Sequence, residues 1–183
     1  MPDPLKIRPG DVLSFWREAG PGLWFRKDEA FDAQFRTSFL AAHEAAARGE
    51  LDDWSRNAEG ALALLVLLDQ FPRNAFRGTP RMFATDAKAR EVAYAALEEG
   101  FDKEVETGLR NFFYLPFMHS ESLADQDLAV ELARPLGDEP YRYAVLHRDI
   151  IFKFGRFPHR NPVLGRATLP DEQRFLDDGG FAG

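Results

Sequence analysis

Cysteine is absent from this chain of 183 residues, which excludes a disulfide framework, a thiolate metal site and a cysteine nucleophile. Long apolar runs are absent too, because the longest, from Ala61 to Leu68, falls far short of the roughly 20 residues that span a bilayer. The opening stretch MPDPLKIRPG lacks the apolar segment of a signal peptide. These absences predict a cytoplasmic protein without a membrane partner.

Basic residues are fewer than acidic ones, since the chain has 23 lysines and arginines and 30 aspartates and glutamates, which gives a net charge of -7. Nucleic-acid binding needs a basic face that displaces counterions from phosphates, so this balance argues against a nucleic-acid partner. Apolar side chains are abundant, at 45% of the chain with 17 phenylalanines. A chain of this length and composition buries a full core, and we predict a single domain over residues 1–183.

The apolar residues recur with a helical period along nearly the whole chain. Phe31, Phe35, Phe39 and His43 stand four residues apart within a helix predicted over residues 28–49. The same pattern, with start and stop signals, predicts further helices at residues 11–19, 86–100, 108–118, 122–132 and 140–154, and a short terminal helix that begins at a capping box on Thr168.

The helix predicted over Trp54–Phe71 has an apolar middle, ALALLVLL, on every side, which indicates a central helix wrapped by others. We expect Pro72 to end or kink it, because proline has no amide donor and clashes with the preceding turn. The fold class is therefore all-α, with seven or eight helices in antiparallel pairs. Both a tetratricopeptide-like stack and a compact helical bundle fit this pattern.

Two segments end apolar helices in the same way: DQFPRNAFRGTPR at residues 69–81 and GRFPHRNPVLGR at residues 155–166. Each places arginine and asparagine just after Phe-Pro. Three longer segments, LLDQFPRNAFRGTPRMFATD, FFYLPFMHSESLADQ and FGRFPHRNPVLGR, resemble in their order and spacing a bacterial family known only as domain of unknown function 924. This resemblance covers essentially the whole chain. It implies a tetratricopeptide-like helical fold and brings no activity with it.

The polar residues of these segments form the candidate site, because they fall at helix ends and in loops rather than on apolar faces. If the helices pair antiparallel, these ends meet on one side of the molecule. The predicted ligand-binding residues are Arg73, Asn74, Arg77, Arg156, Arg160 and Asn161. The candidates for acid–base chemistry are His119, Glu121 and His159.

The arginines allow two interpretations. Guanidinium matches phosphate or carboxylate with two parallel hydrogen bonds, which indicates a small anionic ligand. Arginine also satisfies the free carbonyls at helix carboxyl ends and pairs with buried carboxylates such as Asp69, four residues before Arg73. Under that interpretation the motifs are structural, and the protein is a helical module that binds a protein partner.

Histidine and carboxylate together raise the question of a metal. No His-Glu-x-x-His pair or di-iron carboxylate pattern occurs, so the sequence predicts neither a metal nor a cofactor. A metal site needs His119 to meet His147 or His159 across the fold. The sequence identifies no nucleophile, since a helix cap explains Ser120 more simply, and it leaves open whether the protein is an enzyme and whether it forms a homo-oligomer.

Overall fold

The computed structural model describes residues 7–182, and every regular element within that range is a helix. The all-α prediction is confirmed. The α-helices are α1 (Pro9–Ala19), α2 (Pro21–Trp24), α3 (Glu29–Ala47), α4 (Ala58–Leu65), α5 (Phe71–Ala75), α6 (Asp86–Glu98), α7 (Thr107–Met118), α8 (Leu123–Ala133), α9 (Asp138–Phe154) and α10 (Pro170–Asp177). A π-helical turn (Val66–Gln70) joins α4 to α5, and 3₁₀ turns occupy Asp52–Arg56, Pro80–Phe83, Phe101–Lys103, Arg134–Leu136 and Pro158–Arg160.

Contacts between backbone positions divide the described chain into two compact units. The first unit comprises residues 7–77 and 81–116, and the second comprises residues 78–80 and 117–182. The single domain over 1–183, the antiparallel pairing and the tetratricopeptide-like stack remain predictions. No helix among residues 7–182 is both long enough and apolar enough to cross a membrane.

Helix α4 is the centre of the first unit. Apart from the exposed Glu59, its residues are buried, and burial continues through the π-helical turn to Gln70. Helices α1 and α6 pack against α4, while α3 packs against α5 and the π-helical turn. The predicted central helix is therefore confirmed, because a segment that is apolar on every side needs neighbours on every side.

The predicted bounds of that helix were wrong at both ends. Residues 52–56 form a 3₁₀ turn, and α4 begins at Ala58 because the Asn57 side chain caps it by accepting a hydrogen bond from the amide of Gly60. At the other end the helical path does not stop at Pro72. It passes through the π-helical turn and continues to Ala75.

Side chains from other helices make this passage through Pro72 possible. The amide of Phe71 donates to the carbonyl of Val66, five residues back, and the Leu67 carbonyl bonds the Nδ1 atom of His43 at 2.9 Å. Pro72 has no amide for the Leu68 carbonyl, which instead accepts from the Thr85 hydroxyl at 2.5 Å. The freed carbonyls are thus satisfied, and this is why the proline neither ends the helix nor leaves a buried acceptor without a donor. Thr85 also precedes α6, but its side chain does not cap that helix.

The second unit is built on the packing of α8 against α9. Its apolar cluster centres on Ile150, Ile151 and Phe157, with Phe154, Phe175 and Phe181 packed against it. Helix α8 is capped by Ser122, whose side chain accepts a hydrogen bond from the amide of Asp125. Two starts differ from prediction: α9 begins at Asp138 rather than Pro140, and Leu169 rather than Thr168 precedes α10.

Candidate functional site

Arg73 lies in α5 of the first unit and is held by two buried carboxylates. Its guanidinium donates two hydrogen bonds to Asp86, at 2.8 and 3.0 Å, and pairs with Asp69 at 3.1 Å. It also donates to the Asp69 carbonyl. Burial lowers the pKa of Arg73, but the carboxylates of Asp69 and Asp86 outweigh that effect and raise it. Arg73 therefore stays charged and joins the π-helical turn to α6.

Asn74 and Arg77 share a single carboxylate, that of Asp32 on α3. The Asn74 amide donates to Asp32 Oδ1 at 2.7 Å, and the Arg77 guanidinium donates to Oδ2 at 2.7 Å. The Asp32 side chain is 13% exposed, so its charge needs these partners. The arrangement fixes the loop after α5 to α3.

Arg156 and Asn161 share a carboxylate in the second unit in the same way. The guanidinium of Arg156 donates to both oxygens of Glu172, at 2.6 and 2.9 Å, and Asn161 donates to Oε2 at 3.0 Å. The backbone amide of Leu169 also donates to Glu172 Oε2, at 2.7 Å. The hydrogen bonds from Arg156, followed by those from Leu169 and Asn161, lower the pKa of Glu172 to about 2 despite its burial.

Glu121 is held by Arg166. Two parallel hydrogen bonds, at 2.7 and 3.0 Å, join the guanidinium to the carboxylate, and the amide of Phe157 donates to the same carboxylate at 2.8 Å. Burial raises the pKa of Glu121, but the donors Arg166 and Phe157 outweigh it and the pKa is lowered. Arg166 also donates to Asn161, so the carboxylates of Glu121 and Glu172 belong to one connected network.

Arg160 connects the second motif segment to the third. It is 7% exposed, donates to the His119 carbonyl at 2.9 Å, and lies over the Phe157 ring with 4.5 Å between its Cζ atom and the ring centroid. The expected meeting of loop residues is thus observed for these two segments inside the second unit. The first segment, with Arg73, belongs to the first unit except for residues 78–80, which belong to the second.

Three histidines gather in the second unit around two phenylalanines. The ring centroids of His119 and His147 are 6.5 Å apart. Phe157 contacts His147 at 5.6 Å and His159 at 5.6 Å, and Phe181 contacts the same two imidazoles at 4.6 and 5.2 Å. We call these five residues the histidine cluster.

The proton equilibrium of His159 is displaced towards the neutral imidazole. Burial, followed by the positive charge of Arg160, lowers its pKa to about 4, so the imidazole is neutral at pH 7. Its Nδ1 atom is buried and has no hydrogen-bond partner. A neutral imidazole of this kind can accept a proton or hydrogen-bond to a ligand.

The histidine cluster does not assemble into a metal site. Among residues 7–182, no group of three or more histidines and carboxylates is placed to hold a metal ion. His119 approaches His147, and the rings of Phe157 and Phe181 are what pack beside the imidazole of His147.

Ser120 and Gln126, which neighbour the histidine cluster in sequence, have structural bonds. The Ser120 hydroxyl donates to the Asp125 carboxylate at 2.5 Å, so it is directed at a carboxylate at the start of α8. Gln126 is fully buried and donates to the carbonyls of Met118 and Ser120, at 2.7 Å each. These bonds satisfy the carboxyl end of α7.

Sequence reasoning missed three residues of this region: Phe157, Glu172 and Phe181. Glu172 had a usable signal, since the segment after Thr168 reads as a helix start with an acidic residue that can accept backbone amides. Phe157 read as the end of an apolar face, and nothing local marks Phe181, because its partners are on α9 and in the loop after it.

The fold and these clusters define the class: an all-α protein whose helix-ending loops are held by buried carboxylates, with a histidine cluster in one unit. The chain belongs to a family of bacterial proteins of unknown function, DUF924, whose model matches residues 12–180. The resemblance seen in the three motif segments is therefore confirmed. The family's description names no activity, so function has to be argued from the residues.

A solved structure of a protein of unknown function from Agrobacterium tumefaciens is similar to this chain. The two are 53% identical, the match covers 93% of this chain and 97% of that one, and the TM-score is 0.92. No curated protein matches this chain.

Proposed function

We propose that this protein binds a small anion, bearing phosphate or carboxylate, beside Arg160, His159 and His119 in the second unit. The observation that supports this most is the charge around His159. Apart from the imidazole of His147, the charged groups that act on His159 are Arg160, Arg166 and Glu121, two positive and one negative. A net positive surrounding at a partly exposed imidazole favours an anion.

The proposal uses fewer of the arginines and asparagines than the six ligand-binding residues predicted from the sequence. Arg73, Arg77 and Arg156 each bond a carboxylate of their own unit, as do Asn74 and Asn161. A guanidinium already matched to a carboxylate has little to offer a second anion. We place the ligand at Arg160 because its positive charge acts on His159, whose neutral imidazole is the ligand's hydrogen-bonding neighbour.

The proposal is tested by calorimetric titration of inorganic phosphate and of succinate into the whole chain. Arg160→Met removes the charge, and the matched control is Arg142→Met, which removes an exposed arginine from α9 in the same unit. We expect at least about tenfold weaker binding for Arg160→Met and no change for Arg142→Met, since a charge-assisted pair contributes roughly 1.5–3 kcal/mol. Equal binding by both variants, or no binding of either anion to the natural chain, contradicts the proposal.

A second candidate is a helical module that binds a protein partner, in which the arginine and asparagine motifs are structural. It is favoured by the bonds to carboxylates described above, which involve Arg73, Arg77, Arg156, Asn74 and Asn161. Helix α9 also exposes Tyr143 and Leu146, which stand three residues apart on one face, at 43% and 38%. Under this candidate Arg160→Met lowers the melting temperature, and neither anion shifts it.

A further inference from the structure

One face of α9 is open to solvent from the first turn of the helix to the last. The residues on this face stand three or four positions apart, so they line up along the helix. They are Asp138, Arg142, Val145, Leu146, Asp149 and Lys153, which we call the α9 stripe. All of them are exposed except Val145, which is half-buried. The two apolar residues lie at the centre of the stripe, and the midpoint between them is also its geometric midpoint.

The charges of the α9 stripe are arranged about that midpoint with opposite signs at equal distances. Arg142 and Asp149 each stand three and a half positions from it, which is about 5 Å along the helix axis. Asp138 and Lys153 each stand seven and a half positions from it, which is about 11 Å. Read from one end the signs are negative, positive, negative, positive, and read from the other end they are reversed. A second copy of the stripe, laid antiparallel on the first, therefore places opposite charges against each other.

The charged groups of the α9 stripe have local contacts that leave them able to bind a partner. Asp149 pairs with Arg148 at 3.3 Å, and its side chain is 62% exposed. The guanidinium of Arg142 lies over the ring of the next residue, 5.3 Å from its centroid, and the ammonium of Lys153 lies 4.9 Å from the centroid of Phe154. A carboxylate accepts several hydrogen bonds, and a cation over an aromatic ring keeps its hydrogen-bond donors. With two positive and two negative members the stripe has no net charge, so it has no field to attract a nucleic acid or a charged membrane.

We propose that two copies of this chain associate through the α9 stripe, with their α9 helices antiparallel about a two-fold axis at the midpoint. In an interface of this symmetry every contact occurs twice. Arg142 faces the partner's Asp149, and Asp138 faces the partner's Lys153, while the two apolar centres pack on each other. The inference is independent of the anion proposed above, because the residues assigned to that anion lie outside the stripe.

The charges also specify the register of the two helices. Sliding one helix by one turn brings Arg142 against the partner's Lys153, and sliding it the other way brings Asp138 against the partner's Asp149. Like charges placed against each other disfavour both alternatives. A single pair of helices buries less surface than the roughly 1,600 Å² of a standard interface, so we expect a dissociation constant in the micromolar range.

The test reverses one charge in each of two variants and then mixes them. Lys153→Glu places a negative charge against the partner's Asp138, and Asp138→Lys places a positive charge against the partner's Lys153. We expect the dimer dissociation constant of each variant, measured by sedimentation equilibrium, to rise at least about tenfold, because attraction becomes repulsion at two places. In an equimolar mixture of the two variants opposite charges face each other again at both places. We therefore expect the mixture to form a dimer about as tightly as the natural chain.

The matched controls are Lys103→Glu and Asp53→Lys, which make the same changes of charge at exposed residues of the first unit. We expect both to form dimers like the natural chain, and circular dichroism establishes that every variant is folded. A natural chain that stays monomeric at every concentration overturns the inference. A mixture that forms dimers no better than either variant alone also overturns it, as does a control that weakens the dimer as much as Lys153→Glu. None of these results bears on the titration of phosphate, so the two proposals fail separately.

Discussion

Arg73 decides whether the first motif is structural, and Arg73→Met is the change that tests it. The substitution keeps an apolar stem and removes the charge between two carboxylates. The Asp69 and Asp86 side chains are only 1% and 10% exposed, and Arg73 itself is 15% exposed. Removing one partner of a buried ion pair costs about 3–5 kcal/mol, because the remaining charge is left in a medium that solvates it poorly. For a chain of this size that corresponds to a fall in Tm of about 6–20 °C.

The assay is thermal unfolding followed by circular dichroism at pH 7, with Arg56→Met as the matched control. Arg56 also pairs with an aspartate, but it and Asp53 are 77% and 81% exposed, so we expect a loss of at most about 1 kcal/mol. Adding Asp86→Asn to Arg73→Met should restore part of the loss, since one unpaired buried charge disappears. A melting temperature for Arg73→Met as close to the natural chain as that of Arg56→Met would refute the structural role and return Arg73 to the ligand candidates.

Two further changes test the packing and the pH dependence. Gly60→Ala places a Cβ atom against the Trp54 carbonyl, so we expect the free energy of unfolding, measured in urea, to fall by roughly 1–3 kcal/mol. In Gly108→Ala, a control in α7, the new Cβ atom meets open space, and we expect the same free energy to rise by up to about 1 kcal/mol. Equal effects of the two substitutions would contradict this account of the packing. The folded-state pKa of His159 is about 4, below its usual 6.5, so the unfolded chain takes up the proton first and stability falls as pH drops from about 6.5 towards 4. The measurement is the free energy of unfolding in urea at pH 7 and at pH 4. We expect the difference between the two values to be smaller in His159→Gln than in the natural chain, by at most roughly 3 kcal/mol. An unchanged difference would show that His159 does not titrate between these pH values.

Much of the fold follows from local signals in the sequence. The period of Phe31, Phe35 and Phe39 predicted α3, and the unbroken apolar run from Ala61 to Leu68 predicted a central helix; each is buried as expected. Pro72 was expected to end or kink the helix, and the helix does not end there. The helical path survives there because His43 and Thr85 bond the carbonyls of Leu67 and Leu68, and those partners are 24 and 17 residues away in sequence.

The site was less predictable, because a motif shows which groups are polar but not what they face. Asn74 and Arg77 were read as ligand residues, yet their partner Asp32 lies 42 and 45 residues earlier. Glu121 was a candidate for acid–base chemistry, and its carboxylate accepts hydrogen bonds from Arg166, 45 residues later. Pairings at such distances depend on how the helices pack, and a single sequence contains no direct record of that.

The two similar segments, residues 69–81 and 155–166, share one pattern of hydrogen bonds. In each, an asparagine and an arginine share one buried carboxylate: Asn74 and Arg77 share Asp32, and Asn161 and Arg156 share Glu172. The asparagine therefore has the same role in both segments. A carboxylate can accept several hydrogen bonds at once, so one buried acid can fix two loop residues with an amide and a guanidinium together.

Arg73 and Arg160, the arginines that follow Phe-Pro in the two segments, differ in their surroundings. Arg73 is placed between two carboxylates, whereas Arg160 donates to the His119 carbonyl and lies over the Phe157 ring, with His159 beside it. The shared carboxylate already accounts for the way each segment is fixed to its own unit. The second segment differs by the added His159 and by the surroundings of Arg160, and for that reason we propose the ligand site at Arg160 and not at Arg73.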